Sequence, residues 1–207
     1  AAEVRLSGEY VMIWPSGDPM KKRIALFTVF LALLLLTLAV PAGAGVEKFM
    51  RPSGGSLQPY FRMKFTPPAG WVQDDNATKE NDLAIYVPEG EDYSSAPALI
   101  YIRVTYNSDQ RSLARFIEVA HDRWKAAVKD SKIEKRPSEK RANGLPGFQI
   151  YHFANPSHPQ QAFEMMAYGE DKDKDGNDFF LMIALTGASQ KALDNAETAY
   201  RAGLRTH

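Results

Sequence analysis

Residues 98–128 read ALIYIRVTYNSDQRSLARFIEVAHDRWKAAV, and the change of period inside this stretch decides the fold. From Ala98 to Tyr106, Ile100, Ile102, Val104 and Tyr106 fall on one side of an extended chain. Tyr101, Arg103 and Thr105 fall on the other, which is the two-residue period of a strand rich in β-branched and aromatic residues. Leu113, Phe116, Ile117, Ala120, Trp124 and Val128 then recur at helical spacing with charges between them. Ser108 or Asp109 is the expected N-cap, and Lys125 and Lys129 suit the negative end of the helix dipole.

Working toward the C-terminus, Ile133 to Arg141 is charged and suits an edge strand, and Asn143-Gly144 marks a turn. GFQIYHFA (147–154), QAFEMMAYG (161–169) and DFFLMIALT (178–186) then read as three strands of a meander. The last is almost wholly apolar, so it belongs in the middle of the sheet with both faces covered. Ser189 caps a final helix with Leu193, Ala196, Tyr200 and Leu204 as its apolar stripe. Toward the N-terminus, YFRMKF (60–65) and LAIYV (83–87) are short strands, Pro67 to Trp71 is a turn, and Asp74 to Asp82 and Pro88 to Pro97 are polar loops. Strands with hairpin-length links and two amphipathic helices define an α+β fold, a mainly antiparallel sheet flanked by two helices.

Met20 to Ala44, MKKRIALFTVFLALLLLTLAVPAGA, has the three parts of a secretory signal peptide. Lys21, Lys22 and Arg23 precede an apolar run from Ile24 to Val40, and Ala42-Gly43-Ala44 supplies the small residues a signal peptidase requires. The competing reading is an uncleaved anchor, although seventeen residues sit at the short limit for a bilayer core of about 30 Å. Residues 1–19 lack a pattern and read as a leader or misplaced start. Residues 45–59, with two prolines and several glycines and serines, read as a flexible tether, and 60–207 as a single domain. The expected location is the periplasm or the exterior.

Four of the 25 basic and three of the 25 acidic residues lie in 1–44, leaving 21 and 22 in the remaining 163. That balance gives no reason to expect nucleic acid, and membrane contact is expected only if the signal segment stays uncleaved. Cysteine is absent, which removes disulfides, thiolate chemistry and a lipidated N-terminal cysteine, and suits a bacterial periplasm.

An export signal and a polar tether leading into FTPPAGW (65–71), then a strand pair, one helix, a meander and a C-terminal helix, resemble the PsbP-like superfamily of α/β sandwiches, DcrB-like exported proteins included. The resemblance implies a non-enzymatic binding or accessory domain. It carries over no functional residues, and the absent cysteine departs from the lipid anchor of many DcrB-like proteins.

The best local motif is Asp171-Lys-Asp173-Lys-Asp175-Gly176, the first half of an EF-hand calcium loop. Its second half fails, because Met182 stands where a bidentate glutamate is needed; a solvated hairpin turn is the plainer reading. Of the four histidines, His121 sits beside the helix stripe, His152 and His158 flank the NPSHP loop, and His207 reads as mobile. No nucleophile, phosphate-loop or zinc-protease motif occurs, so no catalytic residue and no cofactor is expected. Tyr101 and Arg103 share a strand face and, if exposed, are the first candidates for a binding surface. The sequence therefore leads to a non-catalytic exported domain that binds a protein partner or cell-envelope component. The rivals are a small periplasmic hydrolase assembled only in the fold, and a weak calcium-binding module.

Overall fold

The computed structural model describes residues 45–53, 55–155, 157 and 162–207. The expected signal segment, the leader and His158 lie outside the described residues. Among the described residues, nine strands and three helices follow one another as β1 (Val46–Ser53), β2 (Ser56–Met63), β3 (Trp71–Gln73), α1 (Asp75–Asn81), β4 (Ala84–Pro88), β5 (Ala98–Tyr106), α2 (Leu113–Ala127), β6 (Lys132–Glu139), β7 (Phe148–Ala154), β8 (Phe163–Lys172), β9 (Asp178–Gly187) and α3 (Gln190–Arg205). Strands β3 to β9 form one sheet in the order β3-β4-β5-β9-β8-β7-β6, and β1-β2 form a separate two-stranded hairpin. Every named strand pair is antiparallel. The fold is thus α+β, as the periodicity implies.

Strand β9 lies at the centre, between β5 and β8, and this is why its sequence lacks alternation. On one face Leu181, Ile183 and Leu185 join Ile100, Ile102, Ile150 and Met165 under Leu193, Ala196, Tyr200 and Leu204 of α3. The Tyr200 hydroxyl, fully buried, donates to the Ile183 carbonyl at 2.7 Å, so its own polar atom is satisfied. Gly187 ends the strand where a Cβ would meet the Leu193 backbone nitrogen at 2.7 Å, so helix and strand approach as closely as they do only because the side chain is missing. On the opposite face Ile117 of α2, with Leu113, Phe116, Ala120 and Trp124 beside it, packs over Met166, Tyr168 and Ala184. Among the described residues the three core clusters lie between Val46 and Leu204, within one compact unit, Gly43–His207.

Three local expectations change. Asp74 to Asp82 is the helix α1 flanked by cap residues, not a loop: Asp74 Oδ1 accepts from the Ala77 backbone nitrogen at 2.9 Å and Ala77 and Thr78 are buried. A seven-residue helix offers too few apolar positions for a period to show. The N-cap of α2 is Ser112, which accepts from Arg115 N at 3.3 Å, because Asn107 closes the preceding turn through two hydrogen bonds to Arg111. The third change concerns residues 45–59, expected as a flexible tether. They pair instead with the following residues as the β1-β2 hairpin, in register from Val46↔Met63 to Ser53↔Ser56. The hairpin base is part of the core: Val46 and Met63 are buried, and Phe61 packs at a tilt against Phe179, 4.7 Å between ring centres. Pro52, Gly55 and Pro59 thus fall in paired strands and a turn rather than in a linker.

Candidate functional site

On the α2 face a cleft of about 760 Å³ opens over β5, β9 and β8. Tyr101, Trp124, Phe153, Met166, Tyr168 and Met182 line it, and Tyr93 and Ser94 of the β4-β5 loop stand at its side. The lining follows from strand alternation, since Tyr101, Ala184, Met166 and Tyr151 are register partners across four strands and therefore share a face. Trp124 is held in place by its indole nitrogen, which donates to Asn155 Oδ1 at 3.0 Å; Ser131 Oγ donates to the same oxygen at 2.6 Å.

Behind Tyr101 and Thr186 of this lining, Glu164 is completely buried on β8. Its Oε1 accepts from Thr186 Oγ1 at 2.9 Å and from the Tyr101 hydroxyl at 3.2 Å, while its Oε2 has no hydrogen-bond partner. Burial pushes the Glu164 carboxyl up to about 7, against the two hydroxyl donors that favour the charged form. Burial, reinforced by this carboxylate, also drives the Tyr101 phenol well above its ordinary value. Nothing in QAFEMMAYG marks Glu164: one carboxylate among apolar residues reads as ordinary alternation, and Thr186 and Tyr101 reach it only across the sheet.

Tyr101 and Arg103, the expected binding-surface residues, both line this cleft. Arg103 is exposed, whereas Tyr101 is half-buried and turned toward Glu164 inside the cleft.

The histidines are separated. His121 sits in an aromatic cage, edge-on to Tyr151, Phe153 and Tyr168 at 4.6, 5.3 and 5.7 Å. Burial first, and then Lys125, lowers its pKa and favours the neutral ring. His152 alternates onto the opposite face of β7, beside Arg136, Gln190 and Asp194, and burial followed by Arg136 lowers its pKa too. His207 is not mobile. It is buried, and its Nε2 lies 3.1 Å from Asp171 Oδ2, which also pairs with Arg141 Nη2 at 3.0 Å. Arg141 is fully buried as a side chain, donates to the Glu170 carbonyl at 2.6 Å and lies over the Phe148 ring at 4.7 Å. This triad joins residues 30 and 36 positions apart, beyond the reach of any local pattern.

The calcium candidates are thereby drawn to different partners. Asp171 spends Oδ2 on Arg141 and His207 and Oδ1 on the Lys172 backbone. Asp173 Oδ1 accepts from the backbone nitrogens of Asp175 and Asn177, and Oδ2 from the Asn177 side chain at 2.8 Å. Asp175 pairs with Lys174 at 2.7 Å. Among the described residues no group of three or more acidic or histidine side chains is placed to hold a metal ion. The three carboxylates organise a turn, with Gly176 at φ 82° supplying its left-handed position.

The other exceptional surface is the β1-β2 hairpin beyond its base. Every described side chain from Glu47 to Pro59 is exposed, so this part stands away from the body as an arm. Phe49 is 45%, Met50 53% and Leu57 62% exposed. Tyr60 and Arg51 brace the arm against Asp82 at the end of α1, the phenol donating to its carbonyl at 2.7 Å and the guanidinium pairing with its carboxylate.

The class that emerges is an α+β sandwich with an aromatic cleft on one face and a projecting hairpin. No family model matches the chain, and no curated protein matches it. Among solved structures it is similar to the solution structure of cyanobacterial PsbP (CyanoP) from Synechocystis sp. PCC 6803, at 11% identity, over 81% of this chain and 95% of that one, with a TM-score of 0.36. The α+β class rests on the strand order and helix placement above and not on that likeness. The DcrB-like part of the expected resemblance stays an expectation.

Proposed function

We propose that this chain is an exported, non-catalytic domain that binds a protein partner or cell-envelope component through its β1-β2 arm. The observation that carries the reading is the concentration of Phe49, Met50 and Leu57 on one projecting hairpin. Exposed apolar side chains scattered singly need no explanation, but a cluster on an element with no core of its own marks a contact surface. The signal-like segment 20–44 supports delivery to the envelope. The test is site-specific photocrosslinking with p-benzoylphenylalanine at Leu57, set against the same probe at exposed Glu118 of α2. Adducts from position 57 alone support the reading. Equal labelling at both positions, or none at 57, overturns it.

A second reading, a small hydrolase, draws on one observation, the Thr186 hydroxyl 2.9 Å from a carboxyl with a pKa of about 7. Such a pair is what acid–base activation of a hydroxyl requires. Against it, Glu164 is wholly buried, Thr186 is 7% exposed, and the Tyr101 phenol is spent on the same oxygen. Turnover of a generic ester, phosphate or glycoside that is lost in Thr186→Val would favour the hydrolase.

A further inference from the structure

We infer that the partner of the β1-β2 arm is the surface of an anionic lipid bilayer, into whose headgroup region the distal half of the hairpin inserts. This rests on the reading that the arm is a contact surface and names what it contacts. Cross-strand partners share a face, so Met50 stands with Pro59, and Leu57 two residues further along that face, while Phe49 stands with Tyr60 on the other. The apolar side chains therefore project from both faces of the arm. A protein groove covers one face of a two-stranded ribbon, whereas the acyl–headgroup boundary surrounds whatever enters it. From Phe49 to the turn is four residues, or about 13 Å of strand, comparable with the depth of about 5–10 Å that interfacial segments reach.

The charges agree. Lys48, Arg51 and Arg62 outnumber Glu47 on the hairpin, although the chain as a whole is balanced. Lys48 is exposed, Arg62 lies over the Phe49 ring, and Arg51 makes an exposed ion pair that a phosphate could replace. Aliphatic stems beside apolar residues with their cationic ends at phosphate level suit an anionic leaflet. The place of the arm in the chain points the same way. The apolar run Ile24 to Val40 ends six residues before β1 begins, so the hairpin is the first part of the folded unit after a membrane-directed segment.

The experiment uses residues 45–207, which belong to one compact unit, with folding checked by circular dichroism for the parent chain and every variant. Co-sedimentation with vesicles of phosphatidylcholine and phosphatidylglycerol in equal parts is compared with phosphatidylcholine alone, at low and high salt. Binding to the anionic vesicles is expected, weakened by salt. It should fall at least about tenfold in the Phe49→Ser/Met50→Ser/Leu57→Ser variant. In a Leu57→Trp variant, indole emission should shift to the blue on binding. Absence of vesicle binding, or binding unchanged in the triple serine variant, overturns the lipid inference. If vesicles fail while the crosslinker at position 57 captures a protein, the lipid inference falls and the contact-surface reading stands. If both fail, the contact-surface reading falls with it.

Discussion

Replacing Glu164 by Gln should remove a pH-dependent weakness from the fold. The Glu164 carboxyl rises from an ordinary 4.5 to about 7 because it is wholly buried and the two hydroxyls that favour its charged form do not offset the lost hydration. An acid whose folded pKa is raised stabilises the fold when protonated. That contribution is complete below pH of about 4.5, fades as pH rises, and is gone above about 7. At about 1.4 kcal/mol per pKa unit the whole effect is ~3 kcal/mol. For a chain of this size it corresponds to ~6–12 °C in Tm. His121 and His152 act in the opposite sense over the same range, since burial lowers their pKa values and their charging on acidification opposes folding. The informative quantity is therefore a difference between proteins. Tm of the native chain minus Tm of Glu164→Gln should fall by several degrees between pH 5 and pH 8. Any fixed cost of the amide, whose second polar atom would inherit the unpartnered position of Oε2, cancels in that comparison. Parallel Tm curves for the two proteins would refute the reasoning.

Arg141→Met should cost about 3–5 kcal/mol in urea unfolding, because it leaves Asp171 buried with His207 as its one remaining side-chain partner among the described residues; a loss below ~1 kcal/mol would mean the triad is dispensable. Gly169→Ala should cost about 1–3 kcal/mol, since the new methyl group would lie 2.7 Å from the Phe148 ring; an unchanged midpoint would show that the ring gives way freely. Calorimetric titration of calcium should show no saturable heat below about millimolar concentration, given that Asp171 and Asp173 are already committed to other donors; a tighter site lost in Asp173→Asn would contradict this. Expressed from Met20 in a bacterial host, the exported chain should begin at Gly45 by intact mass, and a membrane-bound product retaining Ile24 to Val40 would exclude cleavage.

What was legible in the sequence was whatever repeats within a few residues. The switch from Tyr106 to Leu113 locates β5 and α2, the unbroken apolar run of β9 locates the middle of the sheet, and Ser189 starts α3. Illegible features were of two kinds. The hairpin and α1 were hidden by composition, since Pro52, Gly55 and Pro59 resemble a linker and α1 buries only Ala77 and Thr78. Glu164 with Tyr101 and Thr186, and Arg141 with Asp171 and His207, were hidden by distance along the chain. Each is assembled from separate elements, and only the register of strands brings its members together. Tyr101 shows the limit well: alternation assigns it to the correct face but says nothing of what covers that face.

The central position of β9 also sets an order of assembly. Its pairing with β5 runs from Tyr106↔Phe179 to Ala98↔Gly187, more than seventy positions apart, and until it arrives β5 and β8 both present unpaired edges. A chain emerging from its N-terminus, at the ribosome or through a translocation pore, therefore cannot close this sheet until β9, Asp178–Gly187, is out. The β-rich segments that precede β9 remain open to intermolecular pairing throughout that interval. Such topology suits late, nearly all-at-once folding, and a holdase that keeps β4, β5, β7 and β8 apart would govern yield more than would the stability of the finished domain.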